Sequence, residues 1–270
     1  MNRVRANAFR EKYGPWALVT GGAQGLGAEF ARQVAARGLD LVIVDVDAVK
    51  LASQAEALRQ RYGVEVRDVV LDLSREEFLQ DLLPAIQGLD IGFLVNNAGL
   101  SHIGSFLPQD RKFILTQLYV NVRAVLLLTH QLGKDMVARG RGGMIMVSSG
   151  AALNGSALNA HYAATKAYEL ILAESLWDEL RDQGVDVLGF MPSTTDTPGL
   201  RGQNPRKKPL RVMPVEECVD KAFDALGRRP SVFAGKTVRI VHRILSALVP
   251  RSTMIRLTSR TIRSMFRDAN

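Results

Sequence analysis

Tyr162 and Lys166 stand four residues apart in a stretch, residues 159–183, that reads as a helix, so their side chains lie on one face and can meet at one pocket. A phenol with a pKa of about 10 is a poor base at neutral pH, but a neighbouring ammonium favours its ionised form. The pair is a candidate acid/base. Ser149 precedes Tyr162 by thirteen residues, just past a strand-like run at 144–147, and its hydroxyl could hydrogen-bond an oxygen that gains negative charge during reaction. The same residue types also occur as a core tyrosine, a solvated lysine and a strand-end serine.

A second group lies near the amino terminus. The apolar run Trp16–Thr20 passes into Gly21-Gly22-Ala23-Gln24-Gly25-Leu26-Gly27, and a helical pattern covers residues 25–37. Glycines there let the backbone approach a pyrophosphate while the amides of the helix start face the anion; a tight turn in a core would use the same residues. Eighteen residues beyond Gly27 stands Asp45, at the end of a second strand. A carboxylate there can accept hydrogen bonds from an adenosine ribose or cap the next helix.

Positioning these groups requires alternating strands and helices, and the chain supplies them. Residues 41–44, 64–71, 91–95, 144–147 and 185–190 read as further strands, and 48–61, 75–87, 110–138, 159–183 and 215–226 as helices, before a short strand near Ser231–Phe233. Continuous apolar strands suit a parallel sheet buried on both faces. The expected fold is α/β: a single doubly wound Rossmann-type parallel sheet with helices on both faces, its ligand at the carboxyl ends of the strands, and a basic C-terminal helical extension. Residues 1–235 are expected to form the dinucleotide-binding catalytic domain and residues 236–270 the extension. Residues 194–213, with Pro198, Pro205 and Pro209, are too long and polar for a simple connector and suit a lid.

The Gly-x-x-x-Gly-x-Gly spacing of Gly21, Gly25 and Gly27 resembles that of the short-chain dehydrogenase/reductase family, and further motifs agree in order. They are Asn96-Asn97-Ala98-Gly99 after the fourth strand, Asn121 in the long helix, Ser149, and Tyr162-Ala163-Ala164-Thr165-Lys166. The resemblance spans residues 13–234. It implies a nicotinamide-dependent oxidoreductase with Asn121, Ser149, Tyr162 and Lys166 as catalytic residues, Lys166 also holding the nicotinamide ribose and Asn121 a proton-relay water. A positively charged nicotinamide would add to the pull of Lys166 on the Tyr162 phenol. The resemblance further implies cofactor contacts from Gly21, Gln24, Gly25, Leu26, Gly27, Asp45, Asp72, Leu73, Asn96, Ala98, Gly99, Tyr162, Lys166, Pro192, Thr195 and Thr197. Pro192-Ser193 stands where the family usually carries Pro-Gly.

The opening 13–20 and the basic extension look most like the branch of ketoacyl and 17β-hydroxysteroid reductases, whose members commonly prefer NADP. Asp45, with Gln24 and Val46 offering no positive charge to a 2′-phosphate, points instead to NAD. The expected reaction interconverts a secondary alcohol and a ketone on an apolar, steroid- or lipid-like substrate, given Leu100, Ile103, Leu153, Phe190 and Met191 near the expected pocket. Alternatives are an acyl-thioester substrate whose phosphates meet Arg206, Lys207 and Lys208, and a non-catalytic NAD(H)-binding sensor.

Composition excludes other classes. With 47% hydrophobic and 23% charged residues in 270 and a mean hydropathy of +0.01, the chain is neither disordered, collagenous nor heptad-dominated. Of the net charge of +8, residues 236–270 hold eight basic side chains against Asp268, a net +7, so the rest of the chain is almost neutral. A nucleic-acid binder would spread its basic residues over the folded body; none is expected as partner. Unbroken apolar runs such as 41–44 and 125–128 end well short of the ~18 residues of a spanning helix, and no signal peptide is apparent. One cysteine, Cys218, allows no intrachain disulfide, and the four histidines show no metal-spaced pair, so no metal is expected. The expected location is the cytoplasm, peripheral to the inner face of a membrane if the tail binds it. There Arg256, Arg260, Arg263 and Arg267 form a helical stripe beside Ile255, Ile262, Met265 and Phe266, which suits an anionic surface or packing on the enzyme body or a second subunit. Family relatives often form dimers or tetramers, so a homo-oligomer is expected.

Overall fold

Strands β1 (Trp16–Thr20), β4 (Ile91–Asn96) and β5 (Gly142–Val147) are buried at every position, as continuous apolar runs demand of strands covered on both faces. β2 (Asp40–Asp45), β6 (Val185–Met191) and β7 (Ser231–Phe233) widen the sheet, and β3 (Val66–Val70) forms one edge. The computed structural model describes residues 3–195, 197, 212–235 and 248–266. Within them the seven strands are all parallel, in the order β3-β2-β1-β4-β5-β6-β7. The order reverses between β1 and β4, which opens a crevice at the carboxyl edge of the sheet. β3 departs from the expected buried run: Asp68 and Val70 are exposed, and charges at 67 and 68 keep an edge from pairing with another chain.

Alternation along each strand divides the core in two. Ala17 and Val19 of β1 face one layer, with α2 (Gly25–Ala35), α3 (Ala48–Tyr62) and α8 (Val215–Ala225); Trp16 and Leu18 face the other, with α4 (Phe78–Ile86), α6 (Val125–Ala138) and α7 (Ala160–Arg181). α4 starts three residues later than its apolar pattern suggested, because Asp72 holds a turn by accepting from the Ser74 amide at 2.8 Å.

One helix was not legible in the sequence. α1 (Arg3–Tyr13) packs Phe9 against Tyr13, Phe93 and Phe223, with ring centroids 4.6, 5.4 and 5.8 Å apart. The Tyr13 hydroxyl donates to Asp186, and Lys12 pairs with the same carboxylate. Burial, with Asp186 beside it, pushes the Tyr13 phenol far above its usual pKa.

α5 (Arg111–Leu118) runs through a π-helical turn, Tyr119–Ala124, into α6. The wider turn carries Asn121, which is fully buried; such bulges are common at functional sites. By length and composition the continuous run Arg111–Ala138 could cross a membrane, although its unbroken apolar runs are short. Its Val120, Ala124, Val125, Leu128, Leu132 and Met136 are buried, the behaviour of a core helix lying on the sheet.

Beyond the sheet, α9 (Arg251–Met265) docks on the body: Met254 and Ser259 are buried, and the Ala157 amide donates to Ser259 Oγ at 2.9 Å. Ile255, Ile262, Met265 and Phe266 are half-buried while Arg256, Arg260 and Arg263 are exposed. Part of the apolar side therefore already has a cover. Arg267, the stretch 240–247 and nearly all of the expected lid, with Arg206, Lys207 and Lys208, lie outside the described residues.

Candidate active site

The turn after β1 is built by close backbone contacts. Gly21 has φ +67°, a left-handed value that side chains rarely adopt. Gly27, inside the first turn of α2, sits so near it that a Cβ would lie 1.9 Å from the Gly21 carbonyl oxygen. Thr20 Oγ1 accepts from the Asn97 and Ala98 amides, both at 3.0 Å, and Asn97 Nδ2 donates to the Thr20 and Gly21 carbonyls at 2.9 and 3.2 Å. The ends of β1 and β4 are latched together. Exposed Gln24 precedes α2 and Gly25 opens it, yet the Gln24 side chain makes no capping bond, which leaves first-turn amides of the helix for an anion.

Asp45 reaches this turn. Its Oδ2 accepts from the Ala23 amide at 3.1 Å and its Oδ1 from Val46 and Asp47 at 2.8 and 3.2 Å. Three amides fix the carboxylate, and one lone-pair site, on Oδ2, remains for a ribose hydroxyl. It does not cap α3; Asp47 does, accepting from the Lys50 amide. Asp72 is exposed and Leu73 buried behind it.

A cavity of about 400 Å³ opens beside the turn. Of the predicted residues, Leu26, Gly99, Ser149, Tyr162, Lys166, Pro192, Thr195 and Thr197 line it, so α2, α7 and the segments after β4, β5 and β6 deliver them to one place; Asn97 joins them. Ser149 Oγ accepts from the Ala151 amide at 3.2 Å, which starts a 3₁₀ turn, Gly150–Leu153, and fixes the hydroxyl at the cavity wall. Lys166 Nζ lies 6.0 Å from the Tyr162 ring centroid. It donates to Val147 O at 2.9 Å and to Glu169 Oε1 and Oε2 at 2.8 and 3.0 Å. Burial works against the Lys166 charge, but Glu169 and Tyr162 outweigh it and hold the ammonium above its usual pKa. Burial also pushes the Glu169 carboxyl up to about 7, against the pull of Lys166.

Other expectations are corrected. Asn121 does not line the cavity: its Oδ1 accepts from Leu100 N at 2.8 Å, and its Nδ2 donates to Leu100 O and Thr165 Oγ1 at 2.9 and 3.0 Å. The side chain clamps the loop after β4 to α7. Asn96 is buried and its Nδ2 donates to Thr129 Oγ1 on α6 at 3.0 Å; the cavity residue is Asn97. Strand parity explains this, since Asn96 shares the face of Leu94, which packs under α6. Phe190 is core, edge-to-face with Phe30, and Met191 packs with Leu170 and Phe233. Neither they nor Leu100, Ile103 and Leu153 line the cavity, whose wall instead includes Ser101, Ser148, Ser193, Thr194 and Phe233. Glu169 was also missed, because a glutamate inside a helix ordinarily reads as solvated.

The glycine turn, the Asp45 carboxylate bonded to it, and a cavity lined by serine, tyrosine and lysine suit a nicotinamide-dependent oxidoreductase. Residues 15–208 match the short chain dehydrogenase family, and the chain belongs to it. It is 36% identical over 235 residues to a 7beta-hydroxysteroid dehydrogenase of Collinsella aerofaciens, covering 84% of this chain and 89% of the relative. A very-long-chain 3-oxoacyl-CoA reductase-like protein of Arabidopsis thaliana is 33% identical, covering 83% and 74%. Among solved structures, one described for 7beta-hydroxysteroid dehydrogenase stereoselectivity superposes with a TM-score of 0.86 at 33% identity, covering 92% and 98%. A short-chain dehydrogenase from Sphingobium yanoikuyae in complex with NADPH gives 0.79 at 30%, covering 87% and 93%. The resemblance noted in the motifs therefore holds for the family, for its hydroxysteroid and ketoacyl branch, and for oxidoreductase activity.

Proposed function

We propose that this enzyme interconverts a secondary alcohol and a ketone on an apolar, steroid- or lipid-like substrate with NAD(H), acting in the cytoplasm through the cavity at the β1/β4 switch point. The observation that carries the reading is the convergence of Ser149, Tyr162 and Lys166 on one cavity beside the glycine turn. The residues present fit the cofactor: uncapped α2 amides and the glycine turn suit the pyrophosphate, Asp45 the adenosine ribose, and Gly99, whose Cβ would lie 3.2 Å from Lys166 Nζ, keeps a side chain out of the space beside that lysine. A bound nicotinamide supplies or accepts the hydride. Ser149 hydrogen-bonds the substrate oxygen, Tyr162 gives or takes its proton, and Lys166 holds positive charge at the ribose side of the site. Asn121 fixes the loop that carries Gly99 and Ser101. Hydride transfer against a panel of ketones, steroids and acyl thioesters tests the reading; NADH binding without turnover across that panel would point to a sensor. The serine and threonine residues of the wall and the reductase-like relative keep the acyl-thioester substrate as the second reading.

The cofactor preference is the first expected outcome. Asp45 can accept from a ribose hydroxyl, whereas a 2′-phosphate there faces like charge, and exposed Gln24 and Val46 offer no positive partner. A hydrogen bond to a charged group contributes ~1.5 to 3 kcal/mol, so NADH should bind about tenfold or more tighter than NADPH, and Asp45→Ala should narrow the gap. Equal affinities by titration would remove Asp45 from this role.

The extension, residues 236–270, is read as a tail that adds an electrostatic contact rather than an inserting helix, because Arg256, Arg260 and Arg263 stay exposed beside a docked face. Each basic residue near an anionic leaflet contributes ~1 kcal/mol. The full chain should therefore sediment with anionic vesicles at low salt and not with neutral ones, and the Arg256/Arg260/Arg263→Gln variant should stay in the supernatant. Co-sedimentation of that variant at the wild-type level would discard the membrane contact. Exposed Leu126 and Ile171 on α6 and α7 suit a second copy, so a homodimer or homotetramer is part of the reading.

A further inference from the structure

Tyr162, Lys166 and Glu169 occupy positions i, i+4 and i+7 of α7 and so form one line on the helix. Tyr162 and Lys166 line the cavity; Glu169 is absent from its wall and is buried behind Lys166. An ammonium has three donors. Those of Lys166 meet three acceptors at 2.8 to 3.0 Å, the Val147 carbonyl and both Glu169 oxygens, so a new acceptor arriving through the cavity must compete with one already in place.

We propose that Glu169 is a positioning residue that holds the Lys166 ammonium back from the cavity, so that a nicotinamide-ribose hydroxyl engages Lys166 only by displacing the carboxylate. The proposal rests on the cavity being the nicotinamide site. It gives cofactor affinity a built-in opponent and makes that opponent titratable. A buried carboxylate deprived of its ammonium holds a proton more tightly than before, so binding at the ribose takes up a proton. Glu169 is pushed up to about 7 by burial, against the pull of Lys166. Well below that pH Glu169 is already neutral and affinity is constant; affinity falls as pH rises through 7.

Among the described residues, Lys166 is the charged group acting on Glu169, and Tyr162 bears on Lys166. The neighbouring elements contribute the Val147 carbonyl and the Ser148 hydroxyl, which bonds Lys166 O, from the end of β5, and Asn121, which bonds Thr165, from the π-helical turn. None of these titrates.

The test compares two fragments in calorimetric titrations of the full-length protein. Adenosine, which carries no phosphate monoester to titrate near neutral pH, reaches the Asp45 end of the site and stops short of Lys166; ADP-ribose carries the second ribose. Between about pH 6 and about pH 8.5, ADP-ribose should weaken on the order of five- to tenfold while adenosine stays unchanged, with proton uptake seen as buffer-dependent heat only for ADP-ribose. At the upper pH, Glu169→Gln should bind ADP-ribose tighter by that factor and lose the pH dependence, whereas Glu169→Asp should retain it. The wild-type comparison stands even if a variant fails to fold. Identical pH dependence of adenosine and ADP-ribose, or no gain of ADP-ribose affinity in Glu169→Gln, overturns the inference while leaving the cofactor site intact. Failure of both fragments to bind at every pH overturns the cofactor reading and the inference with it.

Discussion

Tyr162→Phe lowers kcat for ketone reduction by about 100- to 10,000-fold, the range that general acid–base catalysis supplies, and leaves the NADH dissociation constant within about twofold. The substitution removes one hydroxyl from a side chain on the cavity wall and keeps the ring that packs within α7. Hydride arriving at a carbonyl carbon leaves negative charge on the oxygen; Ser149 can share it, but without the phenol no proton is placed to quench it. The loss therefore falls on the chemical step, with KM moving little, and the melting temperature should stay near the wild-type value. Stopped-flow reduction with any ketone the wild type accepts, together with NADH fluorescence titration, checks both halves. Wild-type kcat in the variant removes Tyr162 from the proton transfer.

How far the site could be read beforehand depended on whether its signal was local. The face bearing Tyr162 and Lys166 was legible because helical spacing alone puts i and i+4 together, and the glycine turn because its residues sit side by side in the chain. Asn96 and Asn97 were distinguishable in principle by strand parity, which ties Asn96 to Leu94 and the α6 side. Glu169 was hidden for a physical reason: whether a helical glutamate meets water or a lysine depends on what lies above the helix, here β5 and its Val147 carbonyl. The same holds for α1. Its arginines and lysines mask Phe9 and Tyr13, whose partners Phe93, Asp186 and Phe223 come from three distant segments. The apolar pocket residues failed for the converse reason, since Phe190 and Met191 have the composition of a pocket and the burial of a core.

Gly27→Ala tests the turn itself and should be the most damaging single methyl added to the site. Its Cβ would lie 1.9 Å from the Gly21 carbonyl oxygen and 2.4 Å from Asn97 Nδ2. The first neighbour is backbone, which no rotamer change can relieve, and Gly21 is itself held in a left-handed conformation. The start of α2 must therefore move off the turn, breaking the Asn97 bonds to Thr20 and Gly21 that latch β1 to β4. Overpacking of a close-packed region costs ~1 to 3 kcal/mol when side chains can adjust, and more where backbone must shift. A clear fall in melting temperature should accompany at least ~100-fold weaker NADH binding, because the displaced amides are those that face the pyrophosphate. Asn97→Ala separates the two effects: it removes the latch without a clash, so it should weaken NADH less and melt higher than Gly27→Ala. If Gly27→Ala binds NADH and melts like the wild type, the close approach of Gly27 to Gly21 is not what shapes the cofactor turn.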